Sequence, residues 1–438
     1  MGKTVLSIRG RDFYINGTPV YAEIGGAGGA GTAGSSPSGH PSPLGLLMNS
    51  RFIQGVFDDK ADPRRFDRFG RTFDPETNTD NLIAALPEWY KYGLRAITVG
   101  FQGGWPVFTT DVRTIDNNPF GTDGRQLDEA YAARMDRIIR AADSLGMVVI
   151  VNFLYWAQAH RLKDGRAVVA AIETASSFIK NGGYTNVIID LANEYNIEYW
   201  NERYLIKSHE SMQVLMDLVR RHTGGSIPVG CTGGGGIFNK LIAEASDVVL
   251  IHGNGLTRGR YYDLIRRILD TIPDKPVLCN EDSPCISRLE IAARTHTSWG
   301  HYDNFTKQEP PANFGINPGQ DTFFARRMAK TVGIQLPELP LEEQFYLEGL
   351  EPDNVWQGQR WIRLSAEYPE RIDHVNFYRN GELIYTSYDE PFLLFGQTTW
   401  IQKPWLVRPD DKEWLAEVVL SDADRTIIEK RVEVSGIA

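Results

Sequence analysis

The sequence predicts an α/β protein: a (β/α)8 TIM barrel opened by a β-hairpin and followed by an all-β, immunoglobulin-like sandwich. Three observations lead there. Between residues 46 and 336, short apolar runs alternate with stretches of helical period, the pattern of a parallel sheet with crossover helices. Eight such runs fall within roughly 290 residues, near the ~250 of a closed barrel. From residue 337 onward the helical period disappears and short strand-like runs follow one another, as in a β-sandwich. An open, doubly wound sheet is the alternative for the first part.

The chain begins with two extended runs around Asn16-Gly17, the strongest short hairpin signal. Residues 25–45 are rich in Gly, Ser and Pro and read as loop. Strands are then expected at 46–52, 96–101, 147–151, 187–191, 227–231, 248–251 and 277–279, with a weaker run at 297–299. Helical patterns at 80–92, 168–179, 212–221 and 261–269 separate them. A further helix places Tyr131, Met135, Ile138, Ala142 and Leu145 on one face, and Gly146 stops it. Past Leu336-Pro337-Glu338-Leu339-Pro340, strands are expected at 361–366, 375–378, 383–385, 414–420 and 426–434, with Asn380-Gly381 as a hairpin turn. The expected division is 1–336 for the barrel with its hairpin and 337–438 for the sandwich; 438 residues exceed what one core usually serves.

Composition narrows the function. A formal net charge of -10, with both signs interspersed, argues against a nucleic-acid partner, which would need a clustered basic stripe. No run approaches the ~18 apolar residues of a membrane span. The three cysteines (Cys231, Cys279, Cys285) form no C-x-x-C pair and imply no disulfide framework; they read as small packing residues. The start, Met1-Gly2-Lys3-Thr4-Val5, has no hydrophobic signal region, so the compartment stays open between cytoplasmic and secreted with the signal removed.

Chemistry enters through two glutamates, each preceded by asparagine and each closing an apolar run: Asn193-Glu194 after 187–191 and Asn280-Glu281 after 277–279. Asn201-Glu202 shows that the dipeptide alone says little. Position is what counts, because the mouth of a barrel lies at the C-terminal ends of its strands. By count these glutamates follow the fourth and seventh strands. Two carboxylates there are what a glycosidic bond requires: one protonates the leaving oxygen, the other attacks or activates water. The plainer alternative makes Glu194 a helix N-terminal charge and Glu281 a loop charge.

On these residues the chain resembles a retaining glycoside hydrolase of clan A, over roughly residues 10–336, including the hairpin Asn16-Gly17-Thr18-Pro19. The resemblance implies Glu194 as general acid/base, Glu281 as nucleophile and Asn193 as a donor to the sugar 2-hydroxyl, without cofactor or metal. Such a nucleophile must be ionised and needs donors, for which Asn49 and Arg51 at the first strand and His252 at the sixth are candidates. Trp299, at the end of the expected eighth strand, resembles the platform beneath the cleaved ring; Gln102, Trp105, Tyr155 and Trp156 are candidate wall residues. The sequence departs from the family where many members carry arginine after the second strand: here it reads Phe101-Gln102-Gly103-Gly104. Arg51 is the expected substitute.

Competing motifs fail on context. Gly26-Ala27-Gly28-Gly29-Ala30-Gly31 matches G-x-G-x-x-G, but Ser35-Ser36-Pro37 follows where a helix must begin. Gly233 to Gly236 lacks the Lys-Ser/Thr of a P-loop, and none of the eight histidines sits in H-E-x-x-H. The reading is a retaining O-glycoside hydrolase acting on an oligo- or polysaccharide. A carbohydrate-binding protein on a barrel scaffold, a transglycosidase and a NAD-dependent enzyme on an open sheet are the alternatives. Trp356, Trp400 and Trp405 allow the C-terminal part to bind glycan, with packing on the barrel as the default.

Overall fold

The computed structural model describes residues 2–24, 42–68, 71–106, 111–352, 354–396, 398–399 and 402–434. The glycine-rich motif at 26–31, most of the loop 25–45 and Trp400 lie outside these residues.

An antiparallel sheet of β1 (Leu6–Arg9), β2 (Asp12–Ile15) and β3 (Thr18–Pro19) opens the chain. The turn between β2 and β3 places Asn16 and Gly17 at φ 52° and 79°, the paired left-handed conformations that a two-residue hairpin turn demands. β1 precedes the expected hairpin; sequence reasoning missed it.

Eight parallel strands follow in chain order: β4 (Asn49–Arg51), β5 (Ala96–Gly100), β6 (Val148–Leu154), β7 (Val187–Ala192), β8 (Val229–Gly230), β9 (Val249–His252), β10 (Val277–Glu281) and β11 (Gly300–His301). Six form one sheet in the order β11-β4-β5-β6-β7-β8, and β10 pairs with β9 in a second. Two sets of backbone hydrogen bonds link the sheets. Asp247 N–H donates to Val229 O at 2.8 Å, and a parallel bridge joins Leu278 to Ser298. Every residue of β5, β6, β7 and β10 is buried, as strands covered on both faces must be.

Helices α1 (Pro75–Lys91), α2 (Glu129–Leu145), α3 (Gly165–Gly182), α4 (Tyr204–Lys207), α5 (His209–Thr223), α6 (Lys240–Ala245), α7 (Arg258–Thr271), α8 (Ser287–Arg294) and α9 (Gln320–Thr331) lie between or after these strands. Local chemistry sets their ends. Asp128 accepts from the backbone N–H of Ala130 and Tyr131 to start α2, and Gly146 ends it at φ 82°, each cap being worth about 1 kcal/mol. α2 buries Tyr131, Met135, Ile138 and Ala142, the expected face. α1 starts five residues before the expected helix, because Asp74 caps it and Pro75 occupies its first turn. Among the described residues no helix is long and apolar enough to cross a membrane.

From residue 345 onward the described structure is strand and loop, apart from one short 3-10 turn: β12 (Phe345–Glu348), β13 (Gln359–Arg360), β14 (Arg363–Ala366), β15 (Ile372–Arg379), β16 (Glu382–Ser387), β17 (Trp405–Leu406), β18 (Glu413–Leu420) and β19 (Ile427–Glu433). β16-β15-β18-β19 form a four-stranded antiparallel sheet, and β12-β14 and β13-β17 are paired ribbons. Asn380 and Gly381 turn β15 into β16 at φ 49° and 83°, as the sequence predicts.

The apolar side chains gather into two main clusters. One runs from Leu6 to Val332, the other from Phe345 to Ile428 with Trp405 and Trp414 edge-to-face at 5.0 Å. Charge fills the seam between them. Arg363 on β14 pairs with Asp303 just after β11 and with Glu348 on β12. Arg326 and Lys330 of α9 share Glu367, and Arg327 meets Glu370. The guanidinium of Arg68 lies 4.3 Å from the ring centre of Trp356. Breaking one partner out of a buried pair costs about 3–5 kcal/mol.

Candidate active site

β7 and β10 deliver two glutamates to one place. β7 ends at Ala192; Asn193 N–H then donates to Leu154 O at 2.8 Å, and Glu194 N–H to Thr232 Oγ1 at 3.3 Å. Glu194 itself adopts φ 51°, a left-handed conformation costing roughly 1–2 kcal/mol for a residue with a Cβ. Such a conformation persists only where the surroundings impose it. Glu281 closes β10 one step beyond a register irregularity: Cys279 pairs with Ile251, and Glu281 pairs directly with His252. The bulge lets two consecutive side chains act on the same interior. Asn280 donates to Asp190 Oδ2 at 3.3 Å, and Glu281 meets Arg51.

The two carboxylates and the His252 ring present atoms that all lie within 4.8 Å of one another. Their surroundings differ. Arg51, with no exposed surface, sets its Nε 2.7 Å from Glu281 Oε2 and donates from Nη2 to Asn193 Oδ1 at 2.7 Å. Asn254 donates to Glu281 Oε1 at 2.6 Å. Burial alone would push the Glu281 carboxyl up, but Arg51, His252 and the Asn254 amide together outweigh it and hold the group below the usual value. Glu194, 9% exposed, accepts the Trp156 indole N–H at 3.1 Å on Oε2, and its Oε1 lies 3.0 Å from His252 Nδ1. Burial lowers the His252 pKa, but the two facing carboxylates overcome it and leave it raised.

Beneath them, burial pushes Asp190 up to about 6. Above, an aromatic wall rises from the Glu194 side. Tyr155 stacks on Trp156 with centroids 5.1 Å apart; Trp105 lies 5.8 Å and Tyr199 5.0 Å from Trp156. Tyr199 is 39% exposed. On the Glu281 side, the Arg51 guanidinium is 5.6 Å from the ring centre of Tyr302.

Arg51, Asn193, Glu194, His252, Glu281, Tyr155, Trp156 and Trp105 are thus brought together. Three expected residues take other places. Trp299 has no exposed surface; its ring packs on Phe324 and its indole donates to Asp282 Oδ2 at 2.8 Å, so it offers no face to a sugar. The eighth strand is Gly300–His301 rather than 297–299, which puts Trp299 before the strand and Tyr302 after it. Asn49 donates to Cys279 O at 3.1 Å instead of to Glu281. It shares a strand face with Arg51 but lies two residues, about 6–7 Å, deeper. Gln102 is 1% exposed, donates to Asn118 Oδ1 and accepts from Tyr155 N–H at 2.7 Å; it fixes the wall from behind.

Asn254, Tyr302 and Thr232 were missed. Tyr302 would have followed from a correct eighth strand; Asn254 lies in the loop after β9, where no motif marks it. Among the described residues, two groups have the spacing to grip a metal ion: Glu194, His252 and Glu281, and also His301, Asp303 and Asp321. Protein cations already face both. Arg51 pairs with the first, and Lys307 and Arg363 with the second.

Residues 95–223 match the family model of cellulase, glycosyl hydrolase family 5. No curated protein matches the chain. Among solved structures, a putative glycoside hydrolase from Bacteroides vulgatus is similar at TM-score 0.48 and 12% identity, covering 98% of this chain and 76% of that one. A β-glucosidase is similar at TM-score 0.45 and 14% identity, over 67% of this chain and 99% of that one. An endo-β-1,4-mannanase from Thermotoga petrophila is similar at TM-score 0.43 and 12% identity, over 90% and 98%.

Proposed function

We propose that this chain, a glycosidase carrying a glycosyl hydrolase family 5 segment at residues 95–223, hydrolyses a glycosidic bond with retention through a covalent intermediate on Glu281. In this reading β4 to β11 form one closed (β/α)8 barrel, residues 1–336 are the catalytic domain and 337–438 an immunoglobulin-like sandwich. The observation that carries the mechanism is the approach of the two carboxylates, with an oxygen of each inside a 4.8 Å cluster. Retaining pairs stand ~5–5.5 Å apart, whereas inversion needs ~6.5–9.5 Å to admit a water between them.

Glu281 is the nucleophile, since Arg51 and Asn254 keep it ionised and aim it. Glu194, held by the Trp156 indole and by His252 Nδ1 at 3.0 Å, protonates the leaving oxygen and in the second step takes a proton from water. Asn193 Nδ2, buried without a partner among the described residues, is the donor to the sugar 2-hydroxyl. The substrate is a carbohydrate. The family model's name makes a β-glucan the first class to try. The same intermediate passed to a sugar hydroxyl would be transglycosylation.

The test is trapping with 2,4-dinitrophenyl 2-deoxy-2-fluoro-β-cellobioside and, in parallel, the corresponding fluoro-glucoside and fluoro-mannoside. Mass mapping of a glycosyl ester on Glu281 is expected. A label on another carboxylate, or an inverted product by NMR from any substrate that turns over, sinks the assignment.

A further inference from the structure

α8, which begins six residues after Glu281, has no cap of its own: its N-cap residue Ile286 offers no side-chain acceptor. The acceptor comes from 103 residues along the chain. Glu390, in the loop between β16 and β17, takes the Ser287 backbone N–H at 3.1 Å on one carboxylate oxygen and the Ser287 hydroxyl on the other. The Glu390 carboxyl, which burial pushes up to about 7, satisfies an orphan helix N–H as an acceptor. A second tie runs alongside. Thr399 Oγ1 lies 2.8 Å from Ser283 Oγ, which also accepts the Gly255 N–H at 3.2 Å.

The next residue of α8 turns this cap toward the chemistry. Arg288, 1% exposed, reaches back from the first turn to the Asp282 carboxylate and to the carbonyl oxygens of Gly253, at 2.9 Å, and Leu256. One guanidinium thus clamps the segment directly after Glu281 to residues 253–256. The second segment carries Asn254, whose amide donates to Glu281 Oε1 at 2.6 Å. Neither segment is a strand at these positions; one backbone bond, from Gly253 N–H to Glu281 O at 2.9 Å, joins them, and the Arg288 and Ser283 side chains add the ties around it.

We infer that Glu390 is a positioning residue for catalysis: by capping α8 from the C-terminal part of the chain it fixes Arg288, and through Arg288 the Asp282 and Asn254 segments that aim the Glu281 carboxylate. The inference rests on the reading of Glu281 as nucleophile. It gives the C-terminal strands a part in the reaction without any contact with sugar. A misplacement of ~1 Å at a reacting group costs on the order of 10²-fold in rate, so a displaced clamp registers in turnover rather than in binding.

The experiment uses the full chain with Glu390→Ala, Glu390→Gln and Thr399→Val. Two readouts are taken: kcat and KM on 2,4-dinitrophenyl β-cellobioside, or on whichever aryl glycoside turns over, and the rate at which the matching 2-fluoro glycoside labels Glu281. Glu390→Ala is expected to lower kcat and the labelling rate by ~10- to 100-fold with KM within about 3-fold. Glu390→Gln keeps an acceptor for the Ser287 N–H and is expected to restore both to within about 3-fold of the parent. Thr399→Val, which keeps its shape and loses the Ser283 bond together with the 3.5 Å contact from Arg288 Nη2, is expected to show a smaller fall of the same kind. Wild-type kcat in the Ala and Val variants, whatever their melting temperatures, overturns the inference, as does a Gln variant no better than Ala. Should the Ala variant fail to fold, the Gln and Val variants decide it: a parent-like Gln with a slowed Val supports the brace. Absence of a label on Glu281 in the parent enzyme means that the nucleophile assignment has failed; a parent label with an unchanged rate in the variants means that the brace has.

Discussion

At the seam beneath the C-terminal strands, Arg363 lies between Asp303 and Glu348, and Arg326 and Lys330 share Glu367. At the mouth of the parallel strands, Arg51 and His252 stand among Glu194 and Glu281 in a similar way. There, however, Arg51 Nη1 and Asn193 Nδ2 are buried with no hydrogen-bond partner among the described residues. A buried donor left unmade costs about 1–3 kcal/mol. The seam spends its charge on adhesion between two parts of the chain. The seam leaves buried atoms unpaired too, Arg68 Nε and Glu367 Oε2 among the described residues; what sets the mouth apart is that its unpaired donors stand beside two carboxylates at the strand ends.

If that contrast is right, mutations should separate cleanly into those that kill turnover and those that loosen the fold. Glu281→Gln is expected to remove turnover by at least ~10⁴-fold while leaving the melting temperature within a few degrees, checked by steady-state kinetics and calorimetry. Glu194→Gln should slow substrates with poor leaving groups by ~10²–10⁴-fold and activated aryl glycosides far less, because only the former need the acid. Equal loss on both would remove Glu194 from that role. Arg363→Met, at the seam, strands two buried carboxylates and should lower stability by ~3–5 kcal/mol in denaturant titration, with the leaving-group dependence of the rate unchanged.

The smallest effect is on pH. Glu281 is held below the usual carboxylate value in the folded enzyme, so the ion pair's contribution to stability is present above the unfolded carboxylate value and is lost as pH falls through the folded one. The acid limb of kcat/KM should accordingly lie below ~4.3, the ordinary glutamate value. Arg51→Met removes the principal cation and should move that limb upward; an unmoved limb would show that Arg51 does not set the ionisation.

The parallel strands were legible because each is a short apolar run with a helix pattern behind it, and Glu194, Glu281, Arg51 and His252 were legible because they stand at the ends of such runs. The eighth strand was not. Gly300–His301 has no apolar run to announce it, so the nearby Trp299 drew the expected strand three residues too early, and Tyr302 is the residue that follows the observed strand. Asn49 was misplaced for a different reason: pleat parity tells which way a side chain points, not how deep it lies. Asn254 and the Glu390–Ser287 cap depend on contacts between segments far apart in sequence, for which a single chain read alone holds no local mark.

The irregularity in β10 has a consequence for how this enzyme can change. In a regular strand Asn280 and Glu281 would point to opposite sides; here one faces Asp190 and the other Arg51. Deleting residue 280 would straighten the pleat and drop the glutamate by one rise, ~3.3 Å, out of reach of Arg51 and against Asp190, carboxylate to carboxylate. Residue 280 is therefore a spacer before it is a side chain. A point substitution there takes one donor from Asp190, but a one-codon deletion is expected to abolish turnover even though every residue now assigned to the chemistry would still be present.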